Sequence, residues 1–527
     1  MILVECKSIP TSESYFITTP IYYVNDVPHL GHAYTTIVCD TLARFMRLDG
    51  REVLFLTGTD EHGQKVEKSA NLSGETPLDF TNRVSQRFRE LTKKLQISND
   101  DFIRTTEQRH IQASQAIWTA LNQSGDIYLG SYSGWYSIRD EAFFSENELI
   151  KPKGSSGQLL APSGAPVEWV EEPSYFFRLS NWQQRLLDFY DKNPSFILPE
   201  SRRNEVISFV SGGLQDLSVS RTSFQWGITV PGDSNHIMYV WLDALTNYIT
   251  ASGYPDTGSA LFEKFWPANI HVVGKDILRF HAVYWPAFLM SAGLEPPQRV
   301  FAHGWWTVEG QKMSKSLGNV VEPFELVERF GLDPIRYFLL REVPFGNDGD
   351  FSESGLVHRV NSDLSNDLGN LSQRVLSMIF KNCGAALPTP GEFSEDDNTL
   401  LAKMGGLLKQ VRTAMEQQLC HRALEDIWVL VRAANTYVDH QAPWGLKTSD
   451  PERMNTVLYV LAESLRHTGI LIQPFMPNSA DKLLEQLGVP DDERDFSHLN
   501  KSSCLVPGKT ISQPEGIFPR ILNDTHS

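Results

Sequence analysis

The chain has 527 residues, and its 47 lysines and arginines against 64 aspartates and glutamates give a formal charge of −17. Because 41% of the residues are hydrophobic and 21% are charged, the composition is that of an ordinary globular protein, which excludes disordered, collagen-like and low-complexity classes. The acidic balance argues against non-specific coating of nucleic acid, which relies on lysine and arginine, but it allows a local basic track.

The sequence lacks the features of membrane and secreted proteins. No run of 18 apolar residues occurs, which excludes a conventional membrane-spanning helix. The first fifteen residues lack the apolar stretch of a secretory signal. The cysteines are far apart and odd in number, unlike a disulfide framework or a Cys-x-x-Cys zinc site. We therefore expect no membrane partner and a reducing, cytoplasmic location. The cysteines are Cys6, Cys39, Cys383, Cys420 and Cys504.

The first elements of the chain predict a parallel βαβ unit. Residues 15–19 have the pattern of a short buried strand, and apolar residues recur at helical spacing from near Gly31. Residues 53–58 are a second near-continuous apolar strand. A strand, a helix and a strand within about fifty residues are typical of a parallel sheet.

The rest of the chain predicts an insertion, a return to the sheet and a helical region. Residues 118–228 are rich in glycine, serine and proline, whereas residues 238–241 and 270–273 again have the pattern of buried strands. After about residue 360 the strand signals end and heptad-like apolar spacing continues to about residue 490. The predicted fold class is α/β, a Rossmann-type doubly wound parallel sheet interrupted by a connective insertion and followed by an α-helical bundle.

His29-Leu30-Gly31-His32 lies in the predicted loop between the first strand and the first helix. In a doubly wound fold this is the carboxyl edge of the sheet, where ligands bind. The start of a helix favours anions, Gly31 allows close approach to the backbone, and two imidazoles can donate to a phosphate. Two solvent-facing histidines are an equal alternative. A metal site is a weaker one, since helical ligand pairs are usually spaced i, i+4 with a glutamate between them.

A second motif, Lys312-Met313-Ser314-Lys315-Ser316, lies between Gly310 and Gly318 and follows the first by about 280 residues. Its glycines predict a mobile loop that carries two ammonium groups. Such charges can close over a triphosphate and stabilise displacement at its α-phosphorus, a reaction that needs positioning and charge neutralisation. Taken alone, two lysines among serines are more often part of a solvated loop.

Together, the two motifs resemble the signatures of class I aminoacyl-tRNA synthetases. Further stretches closely resemble the methionyl-tRNA synthetase family, and the resemblance runs from about residue 15 to residue 490. These stretches are TPIYYVN at 19–25, TGTDEHG at 57–63, VWLDA at 240–244, GKDI at 274–277 and Phe280-His281.

The resemblance implies the following organisation: a Rossmann catalytic domain in two halves (1–117 and 229–295), a connective insertion (118–228), a lysine-loop domain that contacts the tRNA stem (296–358), an α-helical anticodon-binding domain (359–490) and a C-terminal tail (491–527).

The resemblance also implies the reaction and its site. Methionine attacks the α-phosphorus of Mg-ATP to give methionyl-adenylate, and tRNA(Met), initiator or elongator, then takes the methionyl group. His29, His32, Lys312 and Lys315 are the implied catalytic residues. The implied ATP-binding residues are His29, Gly31, His32, Gly274, Asp276 and Lys315, and the implied methionine-binding residues are Ile21, Tyr23, Asp60, Trp241, Ala244, Tyr248, Phe280, His281 and Trp285. From the residues alone, Asp276 is as well explained as a turn cap, Asp60 as a helix N-cap, and the aromatic residues as core.

In the helical region, Asn370 and Arg374 are spaced i, i+4 and share a helix face, and Trp444 follows a helix-ending proline. The family uses Asn, Arg and Trp at the matching positions to bind the CAU anticodon, and stacking of unpaired bases on aromatic planes is how RNA loops are usually recognised. A surface Asn–Arg pair and a buried tryptophan are the interpretations that the residues alone favour.

The chain departs from many family members at two points. They carry Cys-x-x-Cys zinc ligands after a Gly-x-Tyr in the insertion, whereas Gly134-Trp135-Tyr136 here precedes Ser137-Ile138-Arg139-Asp140, and no cysteine lies between Cys39 and Cys383. We expect no structural zinc and no other metal ligands. The chain also ends about 35 residues past the predicted bundle, so we expect a monomer without an appended tRNA-binding domain.

Three alternatives remain. A class I enzyme for Leu, Ile or Val would carry a larger editing insertion than the roughly 110 residues found here. A small nucleotidyltransferase that shares the His-x-Gly-His element would lack the long second half. A non-catalytic tRNA-binding paralogue would have no need of both lysines and both histidines.

Overall fold

The computed structural model describes residues 14–24, 27–140, 142–144, 146–151, 158–313 and 319–522. The strands are β1 Ser14–Thr18, β2 Tyr22–Tyr23, β3 Glu52–Asp60, β4 Asp101–Arg104, β5 Ile127–Ser137, β6 Ala142–Phe144, β7 Glu168–Phe177, β8 Ile197–Leu198, β9 Leu217–Ser218, β10 Ser220–Arg221, β11 Thr229–Val230, β12 Asp233–Met238, β13 Ile270–Gly274, β14 Val300–His303, β15 Trp306–Val308, β16 Gln311–Lys312 and β17 Gly349–Phe351.

The helices are α1 Leu30–Leu48, α2 Gln64–Ser73, α3 Pro77–Lys94, α4 Gln108–Gln123, α5 Gln183–Lys192, α6 Glu200–Ser211, α7 Val240–Ala251, α8 Ala260–Phe265, α9 Trp285–Ser291, α10 Pro323–Phe330, α11 Leu332–Arg341, α12 Glu353–Arg359, α13 Asn370–Asn382, α14 Glu395–Glu416, α15 Cys420–Gln441, α16 Pro443–Ser449, α17 Pro451–Ile472 and α18 Pro477–Gln486. Two π-helical segments, Phe280–Tyr284 and Val360–Gly369, lead directly into α9 and α13.

The chain divides into two compact units. The sheet unit contains residues 14–28 and 54–303, and the bundle unit contains residues 29–53 and everything described from residue 304 onward. The predicted domain boundaries at 117, 228, 295, 358 and 490 stay predictions.

The sheet unit is built on a parallel sheet with the Rossmann strand order. The strands lie in the order β4-β3-β1-β13-β14-β8, and β2 also pairs with β3. Five of its strand pairs are parallel, for example β1 and β13, where Ile17 lies opposite Ile270. If the two-residue strands β2 and β8 are left out and the other five are numbered along the chain, the order is 3-2-1-4-5, with the topological switch between β1 and β13. The predicted α/β fold class is therefore confirmed.

One predicted strand is wrong. Residues 238–241 were expected to form a buried strand, but β12 ends at Met238 and α7 begins at Val240. The strand before it belongs to a small antiparallel sheet, β10-β12-β11, and not to the parallel sheet. A short apolar run has no periodicity that separates a strand from a buried helix, and eleven of the twelve residues of α7 are buried.

The insertion contains more regular structure than its composition predicts. Antiparallel strands β6-β5-β7-β9 form a four-stranded sheet, and α5 and α6 lie between β7 and β9 in the chain. Ile197 and Leu198 return to the main sheet, where β8 pairs in parallel with Val300 and Phe301 of β14. A strand of two residues is too short to give a sequence signal.

In the bundle unit, α1 packs with the C-terminal helices. Arg336 of α11, fully buried, lies 2.7 Å from the Asp40 carboxylate of α1 and donates to the carbonyls of Pro474 and Phe475 at 2.8 Å. Arg412 of α14 donates to Asp49 at 2.6 Å. A buried ion pair of this kind is held by added hydrogen bonds, here to carbonyls.

The remaining helices confirm the predicted helical region. Ser394 and Asp397 form a capping box at the start of α14, and Asp450 caps α17, which has Pro451 at its first position. Most of α17 is buried, in agreement with its apolar spacing. No helix within the described ranges is long and apolar enough to span a membrane.

Candidate functional site

The switch point of the sheet gathers several predicted site residues. Ile21 and Tyr23 follow β1, and Gly274 ends the neighbouring strand β13. Asp276 is exposed in the next turn, and a Cβ on Gly274 would lie 2.6 Å from its Oδ1. The absent side chain of Gly274 therefore leaves room for the Asp276 carboxylate beside the strand end. In open α/β sheets, ligands bind at this edge.

Aromatic side chains from α7 and from the π-helical segment meet beside this edge. The rings of Trp241 and Phe280 stack with centroids 3.6 Å apart and an angle of 6° between them. The ring of Trp285 lies 6.2 Å from that of Tyr248. Ile21 packs against the same core. The structure thus assembles the predicted aromatic residues, and π-helical turns often occur at functional positions.

A buried tyrosine–histidine pair lies within this aromatic cluster. His281 Nδ1 donates to the Ile277 carbonyl at 2.9 Å, which leaves Nε2 to accept from the Tyr248 hydroxyl at 2.7 Å. Burial lowers the pKa of His281 to about 4, so the imidazole is neutral at physiological pH. The Tyr248 hydroxyl oxygen is thereby oriented and keeps lone pairs as acceptors.

His271 is a member of this cluster that the sequence analysis missed. Its ring stacks on Tyr248 at 4.0 Å, and its Nδ1 lies 2.9 Å from the Thr18 hydroxyl. Burial lowers its pKa well below the ordinary value. Among the described residues, His271 Nε2, Trp241 Nε1 and Trp285 Nε1 are buried and have no hydrogen-bond partner. Unsatisfied buried atoms in one cluster mark a place where water or a ligand supplies partners.

Asp60 ends β3 and is buried, opposite Tyr23 of β2 in the parallel register. The turn after it is rigidly held, because the buried Glu61 accepts from Arg104 at 2.6 and 2.9 Å. Tyr23 packs against a second hydrophobic cluster, which contains residues of α2 and α3. Ala244 is buried in α7.

The two signature histidines cap α1 in the bundle unit. His29 Nδ1 accepts from the Gly31 amide at 3.0 Å, and His32 Nδ1 accepts from the His29 amide at 3.1 Å. An Nδ1 that accepts is unprotonated, so each neutral ring carries its proton on Nε2. Burial and the neighbouring His29 lower the pKa of His32 well below the ordinary value. Both rings therefore present an N–H donor without a charge.

Gly31 is required by this cap. A Cβ on Gly31 would lie 2.9 Å from Cε1 of the His29 ring. The absent side chain of Gly31 makes room for the His29 imidazole. From the sequence alone, this glycine is instead explained by the close approach of a ligand to the backbone.

The lysine motif begins in the second strand of a hairpin, formed by β15 and β16 in the same unit. Its turn has positive φ at Glu309 and Gly310 and is held by Asp350, which accepts from the Gly310 amide at 2.8 Å. The backbone of Lys312 lies in β16, whereas Lys315 lies outside the described residues. Beyond the motif, the carbonyl of Val321 accepts from the Leu30 amide at 3.2 Å. The segment that follows the lysine motif thus contacts the start of α1 within one unit.

The predicted anticodon residues form one exposed group. Asn370 begins α13, where it is exposed, and Arg374 lies one turn later. The Arg374 guanidinium lies 5.2 Å over the Trp444 ring and pairs with Asp439 at 2.7 Å. Trp444 is 52% exposed at the start of α16. An exposed indole backed by a guanidinium is a suitable platform for an unstacked base.

The part of the insertion where many family members bind zinc, here called the knuckle, comprises Ser137, Arg139, Asp140 and Ser163. These residues do not fit a zinc ion. Asp140 accepts from the hydroxyls of both Ser137, at 2.9 Å, and Ser163. Arg139 donates to the Ser163 carbonyl at 2.6 Å. Structural zinc sites use thiolate and imidazole ligands, which these residues do not supply. No group of three or more His, Cys, Asp or Glu suited to a metal ion occurs among the described residues.

Comparison with known families agrees with this arrangement. Residues 15–376 match the family described as "tRNA synthetases class I (M)", and residues 387–527 match the "Anticodon binding domain of methionyl tRNA ligase". The two matches together cover the parallel sheet, both signature motifs and the helical region.

Curated relatives and solved structures match over nearly the whole chain. The Methionine--tRNA ligase of Rhizobium meliloti is 58% identical over 96% of this chain and 98% of its own length. That of Rickettsia bellii is 56% identical over 97% and 99%. Mycobacterium tuberculosis methionyl-tRNA synthetase in complex with methionyl-adenylate is 52% identical, with a TM-score of 0.94 over 96% of this chain and 100% of that chain. The chain belongs to the methionyl-tRNA synthetase family of class I aminoacyl-tRNA synthetases.

Proposed function

We propose that this methionine–tRNA ligase uses the switch-point edge of its sheet to activate L-methionine. A carboxylate oxygen of methionine attacks the α-phosphorus of ATP, the bond to the bridging oxygen breaks, and pyrophosphate leaves. A terminal ribose hydroxyl of tRNA(Met) then attacks the methionyl carbonyl carbon and releases AMP. The observation that carries the proposal is the buried aromatic cluster with its oriented Tyr248–His281 pair beside this edge.

The aromatic cluster suits a thioether. Sulfur is polarizable and gains from contact with ring edges, which Trp241, Phe280 and Trp285 supply. The Tyr248 hydroxyl and the unsatisfied indole N–H groups give polar partners of fixed direction. Ile21 and Ala244 are proposed to close the pocket with small apolar contacts. A related synthetase of the same fold holds methionyl-adenylate, which supports an amino-acid site joined to a nucleotide site.

Two polar residues are proposed to orient the amino acid. Asp60 takes the methionine ammonium, because a buried carboxylate at a strand end is a strong partner for a cation. Tyr23, its register neighbour, is proposed to line the same place. His281 acts through Tyr248 and also borders the cluster.

Nucleotide-binding residues are proposed in each unit by itself, at the signature motifs of the bundle unit and at the turn after β13 of the sheet unit. His29 and His32 donate to ATP phosphates from Nε2, and Gly31 keeps the His29 ring in place. Gly274 and Asp276 take the ribose hydroxyls. Lys312 and Lys315 neutralise the charge that develops at the α-phosphorus, with Mg²⁺ entering as part of the ATP complex. No protein nucleophile is needed, since orientation and electrostatics supply the rate.

Asn370, Arg374 and Trp444 are proposed to bind the CAU anticodon of initiator and elongator tRNA(Met). The exposed indole and the guanidinium beside it support this assignment. We further propose a monomer, acting in the cytoplasm. Light scattering at micromolar concentration tests the monomer, and a dimer mass contradicts it.

The knuckle is proposed to work without zinc. The Asp140 carboxylate joins Ser137 to Ser163 where many relatives use a metal, so hydrogen bonds replace coordination. Elemental analysis of the purified protein should find less than stoichiometric zinc, and chelator treatment should leave its activity unchanged. One zinc per chain would contradict the proposal.

The function is tested by exchange of labelled pyrophosphate into ATP, measured with each of the twenty amino acids separately. Methionine should support exchange, and Leu, Ile and Val should support far less. Exchange that is driven best by Leu, Ile or Val would identify a different class I specificity. Exchange independent of amino acid would identify a nucleotidyltransferase, and no exchange at all would identify a non-catalytic paralogue.

A further inference from the structure

A fully buried carboxylate in the sheet unit is held between two imidazoles. Asp243 Oδ2 lies 2.6 Å from His62 Nδ1, and its Oδ1 lies 2.7 Å from His110 Nε2. Asp243 and His110 are completely buried, and 5% of His62 is exposed. Thr250 and Ser114 extend the network, each with its hydroxyl 3.2 Å from a His110 ring nitrogen. None of these residues has a role in the chemistry proposed above.

The network joins three elements that approach the methionine pocket from different directions. His62 lies two residues after Asp60, in the turn that ends β3. Asp243 lies in the first turn of α7, between Trp241 and Ala244. His110 lies in the first turn of α4, which packs along α7. The bond from Asp243 to His62 therefore sets the spacing between the proposed ammonium partner and the aromatic wall.

The charge state makes this bond strong. Burial by itself raises the pKa of a carboxyl, but the two imidazoles lower that of Asp243 to about 2. Asp243 is thus an anion inside the protein, and a buried anion is tolerated only with its donors in place. His62 is further fixed by the Trp226 ring at 5.4 Å, and the Trp226 indole donates to the Glu61 carbonyl at 2.5 Å.

We propose that Asp243 and His62, supported by His110, are positioning residues for methionine: they hold the Asp60 turn and the start of α7 at the separation that fits the amino acid. The proposal rests on the methionine pocket proposed above. It concerns methionine and not ATP, because His62 lies two residues after Asp60 and Asp243 lies between Trp241 and Ala244, which are all residues proposed to bind the amino acid. Loss of the bond lets the two walls of the pocket drift apart, so ground-state binding of methionine weakens.

The test compares the KM for methionine with the KM for ATP in pyrophosphate exchange, with active sites counted by adenylate titration. Asp243→Asn keeps the size of the side chain but removes its charge and one acceptor. It should raise the KM for methionine about tenfold, because a small misplacement of the residues that contact the substrate has an effect of this size. The KM for ATP should stay within about twofold of that of the unaltered enzyme. His62→Ala should do the same, whereas His62→Gln, whose amide can still donate to Asp243, should recover part of the affinity.

Asp333→Asn is a matched control. Asp333 is a buried aspartate of the bundle unit whose carboxylate accepts from the Ser479 amide at 2.6 Å. This variant should lower the melting temperature and leave the KM for methionine unchanged. The milder His62→Gln keeps the test informative if Asp243→Asn does not fold.

Two outcomes overturn the proposal. The first is an unchanged KM for methionine in Asp243→Asn and His62→Ala beside a raised KM in Asp60→Ala. It would show that the network does not position methionine, although the proposed pocket is correct. Equal rises in the KM for methionine and for ATP would show a general structural role. If Asp60→Ala also leaves the KM for methionine unchanged, the proposed pocket itself is wrong.

Discussion

The amide of Leu30 donates to the carbonyl of Val321 at 3.2 Å. Leu30 is the first residue of α1, immediately after the capping His29, and Val321 follows the lysine motif by five residues. The first N–H groups of a helix have no partner within it, so this bond satisfies one of them from a segment about 290 residues away. It joins the segment after the lysine motif to the helix that His29 caps and that contains His32.

Leu30→Pro tests this connection. Proline removes the N–H but is well tolerated at the first position of a helix, and the extended backbone of His29 suits a residue before proline. A net hydrogen bond of about 1 kcal/mol corresponds to a fall of about fivefold in the rate of adenylate formation, with the KM for methionine unchanged. Leu30→Ala, which keeps the N–H and loses the side chain, is the control. Equal rates in the two variants would show that packing, and not this bond, matters.

Gly31→Ala should displace the His29 ring, because the added Cβ would lie 2.9 Å from Cε1. The ring can rotate away, so the free energy of unfolding should fall by only about 1 kcal/mol, the cost of a lost cap. The rate of adenylate formation should fall more than tenfold. His29→Asn, which can still cap the helix but has no Nε2 donor, should lose the same activity and keep its stability. Full activity in Gly31→Ala would separate the His29 cap from catalysis.

Trp444→Ala should leave methionine-dependent pyrophosphate exchange intact and lower the kcat/KM for tRNA charging. Stacking of one base on an aromatic side chain contributes about 1–3 kcal/mol, which corresponds to a loss of about tenfold or more. Trp444→Phe should retain part of the charging activity. Val429→Ala removes another exposed apolar side chain of the bundle unit and should charge normally. Normal charging by Trp444→Ala would refute the anticodon assignment.

Buried histidines should destabilise the protein in mild acid. Burial lowers the pKa values of His281 and His467 to about 4, against about 6.5 in the unfolded chain. Between these values the unfolded state binds more protons, so the free energy of unfolding rises with pH and falls as pH drops below about 6.5. His467→Gln should reduce the loss between pH 6.5 and pH 5 by about 1.5 kcal/mol in urea titrations. An unchanged pH dependence would contradict the buried, neutral state of His467.

The sequence predicts the fold class because it depends on local patterns, whereas the proposed site residues follow from the resemblance to a family. The strand at Ile270–Gly274 and the helix that begins near Gly31 were predicted from nearby residues, whereas the residues alone favoured a buried tryptophan at position 444, which is exposed. The prediction of a strand at residues 238–241 was wrong, because four apolar residues fit the start of a helix equally well.

Other features depend on contacts between distant parts of the chain. Asp243 and His62 are 181 residues apart, and neither has a spacing that points to the other. His271 lies within a correctly predicted strand. Its stacking partner Tyr248 lies on α7, and nothing in the sequence of the strand points to that contact. The packing of α1 with Arg336 also depends on a contact between distant parts of the chain. In the sequence α1 directly follows the first strands, but it belongs to the bundle unit.

The central claim is that the lysine motif acts on the α-phosphorus of ATP together with the histidines of α1. Its most direct test is the single-turnover rate of methionyl-adenylate formation in Lys315→Ala, measured in a rapid-mixing experiment with saturating methionine and ATP. Because an ammonium that stabilises only the transition state is worth about a hundredfold or more, the rate should fall by that factor while methionine binding is retained. A rate equal to that of the unaltered enzyme would contradict the account.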